Sequence, residues 1–149
     1  MRAVLQRVSR AKVLVDGEIV GKIGKGILVL LGISRADSEK EVIYILEKTL
    51  NLRVFEDAHE KMNLSLLDIK GDLLVVSQFT LYGDARRGRR PSFIEAAAPE
   101  KANFLYEFFV KEARNQIENV ETGRFQALMD VELVNNGPVT ILLDSEKLF

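Results

Sequence analysis

Two short polar clusters beside apolar runs are the parts of this 149-residue chain most able to do chemistry. Ser77-Gln78-Phe79-Thr80 follows directly on Leu73-Leu74-Val75-Val76, and Asn135-Asn136-Gly137-Pro138-Val139-Thr140 runs into Ile141-Leu142-Leu143. Hydroxyl and amide groups at the end of a buried strand are held in place by the core beneath them, which makes the first cluster a candidate site. The competing reading is that Ser77 and Thr80 merely satisfy main-chain groups where the strand stops. In the second cluster, Gly137 allows angles closed to other residues and Pro138 fixes its own φ, a combination that also suits a tight connection between two strands. Because only about 5–6% of X-Pro bonds in folded proteins are cis, the residues alone predict a trans Gly137-Pro138 bond.

A serine or threonine nucleophile needs a base within reach, and the residue inventory is poor in bases. There is no cysteine, and the single histidine, His59, lies in the polar stretch Glu56-Asp57-Ala58-His59-Glu60-Lys61, which reads as a surface loop. Thiolate chemistry, disulfides and cysteine-ligated zinc are excluded, a Ser-His-Asp triad has little to draw on, and no metal site is expected. Nothing surrounds Ser77 with the strand-turn-helix setting of G-x-S-x-G. Gly21-Lys22-Ile23-Gly24-Lys25-Gly26 has the glycine separation of a phosphate loop, but Ile27 and Leu28 stand where Lys and Ser/Thr are required, so it reads as a hairpin end.

The net charge of −1 is unevenly spread: residues 1–35 carry seven Lys/Arg against two acidic groups, and the remainder carries fourteen against twenty. Within Arg86-Arg87-Gly88-Arg89-Arg90 four guanidinium groups fall in five residues, a composition suited to phosphates as well as to a solvated loop.

These clusters need a scaffold, and the patterning supplies one. Ala11 to Val15 and Glu18 to Ile23 flank Asp16-Gly17, the best two-residue hairpin signal. Ile27 to Leu31 and Leu73 to Val76 are uninterrupted apolar runs that suit central strands. Ser38 with Glu41 forms a capping-box signature ahead of the stripe Val42, Ile45, Leu46 and Thr49, which predicts a helix over 38–50. Pro99 opens a second helix, with Ala102, Leu105, Tyr106, Phe109 and Ala113 at helical spacing up to about Ile117. Strict alternation in Met129 to Leu133 predicts a strand leading into the Asn135–Thr140 segment, and Val139 to Leu143 predicts another. Strands without a steady βα rhythm indicate a mixed α+β fold, a strongly curved mixed sheet or partial barrel with two main helices packed on it. Length, an apolar share of 47% and the lack of any linker predict one domain over 1–149, and the charged amino end with no spanning apolar run predicts a cytoplasmic protein.

Taken together, Ser77-Gln78-Phe79-Thr80, Gly88-Arg89-Arg90-Pro91-Ser92-Phe93 and Asn135-Asn136-Gly137-Pro138-Val139-Thr140 closely resemble the D-aminoacyl-tRNA deacylases, along a match that begins at Met1-Arg2-Ala3-Val4-Leu5-Gln6-Arg7-Val8 and runs to the last strand. The resemblance implies a homodimeric editing hydrolase that splits the ester between a D-amino acid and the terminal adenosine of tRNA, and that also removes misplaced glycine. It implies a cis Gly137-Pro138 bond whose main-chain carbonyls enter the partner's active site at the subunit interface and leave no room for an L side chain. Arg7 resembles the arginine that orients this motif, with Asn135, Asn136 and Thr140 as anchors of its flanks. Ser77, Gln78, Phe79 and Thr80 would form the pocket floor, Phe79 as an apolar wall and Thr80 as an orienting group, with Phe125 and Met129 near the adenosine.

In this reading the ribose 2′-OH assists hydrolysis, no protein side chain acts as nucleophile or base, and no cofactor is needed. The partner is the acceptor end of aminoacyl-tRNA, with Arg86, Arg87, Arg89 and Arg90 as backbone contacts and neither membrane nor DNA expected. One departure is Gln126, which stands where the family commonly has glycine. Two other readings remain: a noncatalytic RNA- or nucleotide-binding module, and a threonine-nucleophile esterase or amidase acting through Thr80.

Overall fold

The structure is a computed structural model, and it describes residues 1–148. Its organising element is β1 (Arg2–Val15), a 14-residue strand whose side chains alternate inward as far as Val8. On one side, β1 pairs first with β3 (Gly26–Gly32) and then with β2 (Glu18–Ile23). On the other side it pairs along its length with β8 (Asp130–Asp144), all antiparallel. The β1–β2 hairpin turns through Asp16 and Gly17 at φ 52° and 80°, the left-handed pair that the Asp-Gly signal demands.

The two uninterrupted apolar runs become the central strands. β3 pairs in parallel with β6 (Asp72–Ser77), which pairs in parallel with β7 (Val120–Thr122). A separate short hairpin joins β4 (Phe55–Glu56) to β5 (Met62–Leu64). The order β2-β1-β3-β6-β7 curls until β2 meets β7: a Cβ at Gly21 would collide with the main-chain oxygen of Thr122. This near-closure is the expected mixed sheet and partial barrel.

Both predicted helices are present. Helix α1 (Glu39–Asn51) starts at Ser38, whose side chain and that of Glu41 complete the capping box, and it buries Val42, Ile45, Leu46, Thr49 and Leu50. The Ser38 hydroxyl, bonded to the Glu41 carboxylate at 2.6 Å, holds that carboxyl's pKa below its ordinary value. Helix α2 (Pro99–Arg114) stops three residues short of the expected Ile117. Ile117 is buried beyond the helix end, so its apolar character reports the core rather than helical continuation.

The helices cover one face of the sheet over a core that includes Phe55, Leu73, Val75 and Phe109. A smaller core of Val8, Ala11, Val13, Ile23, Leu28, Leu74 and Val76 fills the other face. No helix among the described residues is long and apolar enough to cross a membrane.

The last strand corrects the sequence reading. Residues 135–140 do not join two strands: residues 130–135 and 140–144 pair with the same strand, β1, in the same direction. The register changes between Val8↔Asn135 and Gln6↔Thr140, so four residues, 136–139, stand opposite Arg7 alone. Alternation could not show this, because a bulged excursion and a turn have the same apolar flanks.

The β2–β7 closure gives a test. Replacing Gly21 with alanine places a methyl on the Thr122 main chain and is expected to lower stability by about 1–3 kcal/mol in urea unfolding; unchanged stability would show that β2 and β7 are not in contact.

Candidate functional site

Strand β6 is buried from Leu73 to Val76 and emerges at Ser77. The Gln78 N–H donates to the Leu31 carbonyl at 2.8 Å, carrying the ladder one residue further before the chain enters the 3-10 turn Phe79–Tyr82. The Gln78 side-chain amide donates to the Thr80 hydroxyl. The main-chain N–H groups of Phe79 and Thr80 have no acceptor among the described residues.

A cleft of about 700 Å³ opens beside this segment, within the range of small-molecule sites. Ser77, Gln78 and Phe79 form one side, and Phe125, Gln126 and Met129 form part of the other. Thr80 is exposed next to the cleft and does not line it. Among the described residues no acidic, basic or imidazole side chain lines the cleft; the polar side chains there are Ser77, Gln78 and Gln126.

The far wall is built by α2 and the loop before β8. Tyr106 of α2 donates its hydroxyl to the Val75 carbonyl at 2.8 Å, and burial pushes its pKa up, so it remains a neutral donor. Its ring lies 6.0 Å from that of Phe125, fixing the latter against the core. Met129 is held by its sulfur, which accepts from the Arg124 N–H at 3.3 Å. Gln126 takes φ 59°, a left-handed angle that glycine adopts without cost, so the departure from the family pattern keeps a backbone that glycine would also allow.

Sequence reasoning missed Phe93, Ala96 and Leu128 as lining residues. Phe93 was legible only as part of a motif, and it stands edge-on to Phe79 with ring centroids 5.0 Å apart. Ala96 and Leu128 carry no local signal; Ala96 is placed by a bridge to Ser34 that tertiary structure alone creates.

The 136–139 excursion is pinned from below by Arg7, whose side chain is 5% exposed. Its Nε donates to the Asn136 carbonyl at 3.1 Å, one terminal nitrogen donates to the Val54 carbonyl at 2.7 Å, and the other reaches the Glu56 carboxylate at 3.3 Å. Asn135 closes the flanks: its amide donates to the Thr140 hydroxyl at 2.9 Å and its carbonyl oxygen accepts from the Val139 N–H at 3.1 Å. Asn136 contributes its main-chain carbonyl, and its side chain makes no hydrogen bond among the described residues.

Gly137 has φ 121°, and an added Cβ would stand 2.8 Å from an Arg7 terminal nitrogen. The Gly137-Pro138 bond is cis, against the trans expectation from X-Pro frequencies; the bonds from Arg7 and Asn135 fix the chain on both sides of it, a constraint that averages over all X-Pro bonds do not contain. Gly137 and Pro138 are exposed and are not part of their own chain's cleft. The register places Ser77 level with Leu143, four residues from the level of Arg7 and the excursion, roughly 13 Å along the strands.

Of the four arginines, Arg86 is committed. It donates to both oxygens of Asp84, at 2.9 and 2.7 Å, and those bonds hold the Asp84 carboxyl at about 2. Arg87, Arg89 and Arg90 are exposed and have no ion-pair partner among the described residues. His59 lies in the exposed loop between β4 and β5, its N–H bound by Asp57. The Gly21–Gly26 segment is the β2–β3 connection, and the Asp72 carboxylate already accepts from the Gly24 N–H at 2.8 Å, which opposes an anion there.

The family described as D-Tyr-tRNA(Tyr) deacylase matches residues 4–144. A D-aminoacyl-tRNA deacylase of Clostridioides difficile is 62% identical over 149 residues and one of Thermosipho melanesiensis is 61% identical over 150, each match covering 100% of both chains. Among solved structures, a c-Myc DNA Unwinding Element Binding Protein is 45% identical with a TM-score of 0.92, over 97% of this chain and 98% of that one. A probable eukaryotic D-amino acid tRNA deacylase shares the fold at 19% identity and a TM-score of 0.75, over 95% and 97% of the two chains. This chain belongs to the D-aminoacyl-tRNA deacylases, hydrolases that act on aminoacyl-tRNA.

Proposed function

We propose that the protein is a homodimeric, single-domain, cytoplasmic editing enzyme that hydrolyses D-aminoacyl-tRNA and glycyl-tRNA, with the 136–139 excursion of one copy completing the cleft of the other. The observation that carries this reading is the uncharged cleft: none of its lining side chains is a general base, so a hydrolase working there must obtain proton transfer from elsewhere. The substrate offers a group at the right position. Water adds to the ester carbonyl carbon, the bond from that carbon to O3′ breaks, and the neighbouring ribose 2′-OH relays the proton that leaves the water and arrives on O3′. Free amino acid and tRNA are the products.

The chain contributes positioning. The unbonded N–H groups of Phe79 and Thr80 suit the negative charge that develops on the carbonyl oxygen; each such donor is worth about 2.7–4 kcal/mol elsewhere. Ser77 and Gln78 orient the ester, Phe79 walls it off, and Phe125 and Met129 hold the adenosine. The Thr80 hydroxyl is bonded by an amide donor instead of a base, which favours an orienting role over a nucleophilic one. Arg87, Arg89 and Arg90 lie on the surface to meet tRNA phosphates, and Arg86 supports the loop through Asp84.

Chiral selection follows from rigid main chain. The carbonyls of Gly137 and Pro138 face the substrate α-carbon, accept its ammonium and occupy the space an L side chain requires; a D side chain points away, and glycine has none to exclude. The motif lies outside its own cleft, while Val131 of the cleft and Pro138 of the motif lie on either side of Val134 along β8. A two-fold axis near Val134 exchanges them between copies. Val134 is 39% exposed, and among the described residues β8 has no strand partner other than β1, which leaves this edge available for such a contact.

Purified protein given D-Tyr-tRNA and L-Tyr-tRNA is expected to hydrolyse the D ester alone, and to lose that activity when the terminal 2′-OH is replaced by hydrogen. Turnover of the 2′-deoxy substrate would overturn the RNA-assisted mechanism, and an intact D ester with retained binding would favour a binding module.

Sharing of the site is tested by mixing two inactive variants, Arg7→Ala with a loosened motif and Phe79→Ala with a broken cleft. Random exchange yields heterodimers with one intact site, so about a quarter of wild-type activity should return; a mixture as inactive as its components shows that each chain works alone.

A further inference from the structure

The turn Phe79–Tyr82 supplies the cleft with Phe79 and with two unbonded N–H groups, yet it is only four residues long and none of them is buried. It lies flat on the end of β3: a Cβ at Gly32 would stand 2.9 Å from Leu81 Cβ and 3.0 Å from the Gln78 carbonyl. Within the turn the Gly83 N–H donates to the Thr80 carbonyl at 2.9 Å. These contacts set its height above the sheet; sideways, the Phe93 ring bears on Phe79 with centroids 5.0 Å apart, and the other end of the turn depends on what holds Leu81 and Tyr82.

Both residues are held by Arg2. Its Nη1 donates to the Leu81 carbonyl at 3.0 Å, its guanidinium lies over the Tyr82 ring at 4.7 Å, and its Nε donates to Asp144, at the end of β8, at 3.0 Å. Arg2 is the one charged side chain bonded to the turn among the described residues. It stands in β1 between Gly32 of β3 and Asp144 of β8, and Asp144 is buried, so the base of this clamp is fixed by two ladders.

We propose that Arg2 is a positioning residue for deacylation, setting the place of Phe79 and the Phe79 and Thr80 N–H groups without touching the substrate. The proposal rests on reading Ser77 to Thr80 as the site. The planar fork reaches Asp144 and Leu81 in two directions while its face covers Tyr82, and an ammonium cannot do all three. A shift of the turn by about 1 Å costs up to roughly a hundredfold in rate when the displaced groups meet the reacting carbonyl. Ground-state binding of the adenosine depends on Phe125 and Met129 on the other wall, so the loss falls on kcat more than on KM.

Arg2→Lys and Arg2→Met are compared with wild type and with Phe79→Ala on D-Tyr-tRNA, with thermal melting and hydrogen exchange measured alongside. Both Arg2 variants are expected to melt cooperatively and to lose about ten- to a hundredfold in kcat with KM within about threefold, and the Gly83 amide should exchange faster while the β3 and β6 amides do not. Arg2→Lys retains a charge beside Asp144, so it keeps the test open if Arg2→Met does not fold. Wild-type kcat in a folded Arg2 variant, or a loss shared equally by kcat and global stability with no local change at Gly83, overturns the proposal. Full activity in Phe79→Ala would instead overturn the reading of the site, so the two failures are distinct.

Discussion

Arg7 is the constraint on which the rest of the structure depends. A guanidinium that is almost fully buried is tolerated only when its donors are paired, and here they are divided among two carbonyls from segments far apart in sequence and one carboxylate at the surface. Hydrogen bonds to a charged group contribute about 1.5–3 kcal/mol each, so the pairing fastens the 136–139 excursion to β1 and to the Val54–Glu56 segment together. Gly137 follows from the same contact, since a side chain there would enter the space of the guanidinium. Arg7 can serve as an anchor because β1 is held on both sides, by β3 and by β8.

In the proposed mechanism, two tasks that many enzymes combine in one set of side chains are separated. Shape would fall to main chain, which has no rotamers to relax around the wrong substrate. Proton transfer would fall to the RNA, whose 2′-OH stands beside the ester. An uncharged cleft suits both: among the described residues it has no base that could hydrolyse an ester indiscriminately, and its low polarity would strengthen any dipole directed at a bound carbonyl. The family assignment accounts for a hydrolase acting on aminoacyl-tRNA, and the proposed mechanism is one that a chain with a single, surface histidine can support.

The parts of the fold that were legible in the sequence are those whose cause is local. Asp16-Gly17 needed only its own φ angles, Ser38 and Glu41 only each other, and the runs 27–31 and 73–76 only to be covered on both faces. The excursion was not legible in form, because Asn135 to Thr140 has the composition of a turn and only pairing of both flanks to β1 shows that the strand continues past it. The candidate site residues stood out as motifs, whereas the partners that hold them did not. Val54 and Glu56 meet Arg7, and Arg2 meets Leu81, through contacts that no spacing rule contains. The four arginines show the same limit: their charge was evident, and the pairing of Arg86 with Asp84 was not.

The central claim is that the excursion of one copy stands in the cleft of another. Its most direct test is a photo-crosslink from position 136, whose native side chain is exposed and makes no hydrogen bond among the described residues, in an equal mixture of isotopically heavy and light protein. The account predicts adducts joining heavy to light chains, mapped by mass spectrometry to the segments 77–80 and 125–131. Adducts confined to single chains, or mapped away from those segments, would contradict it.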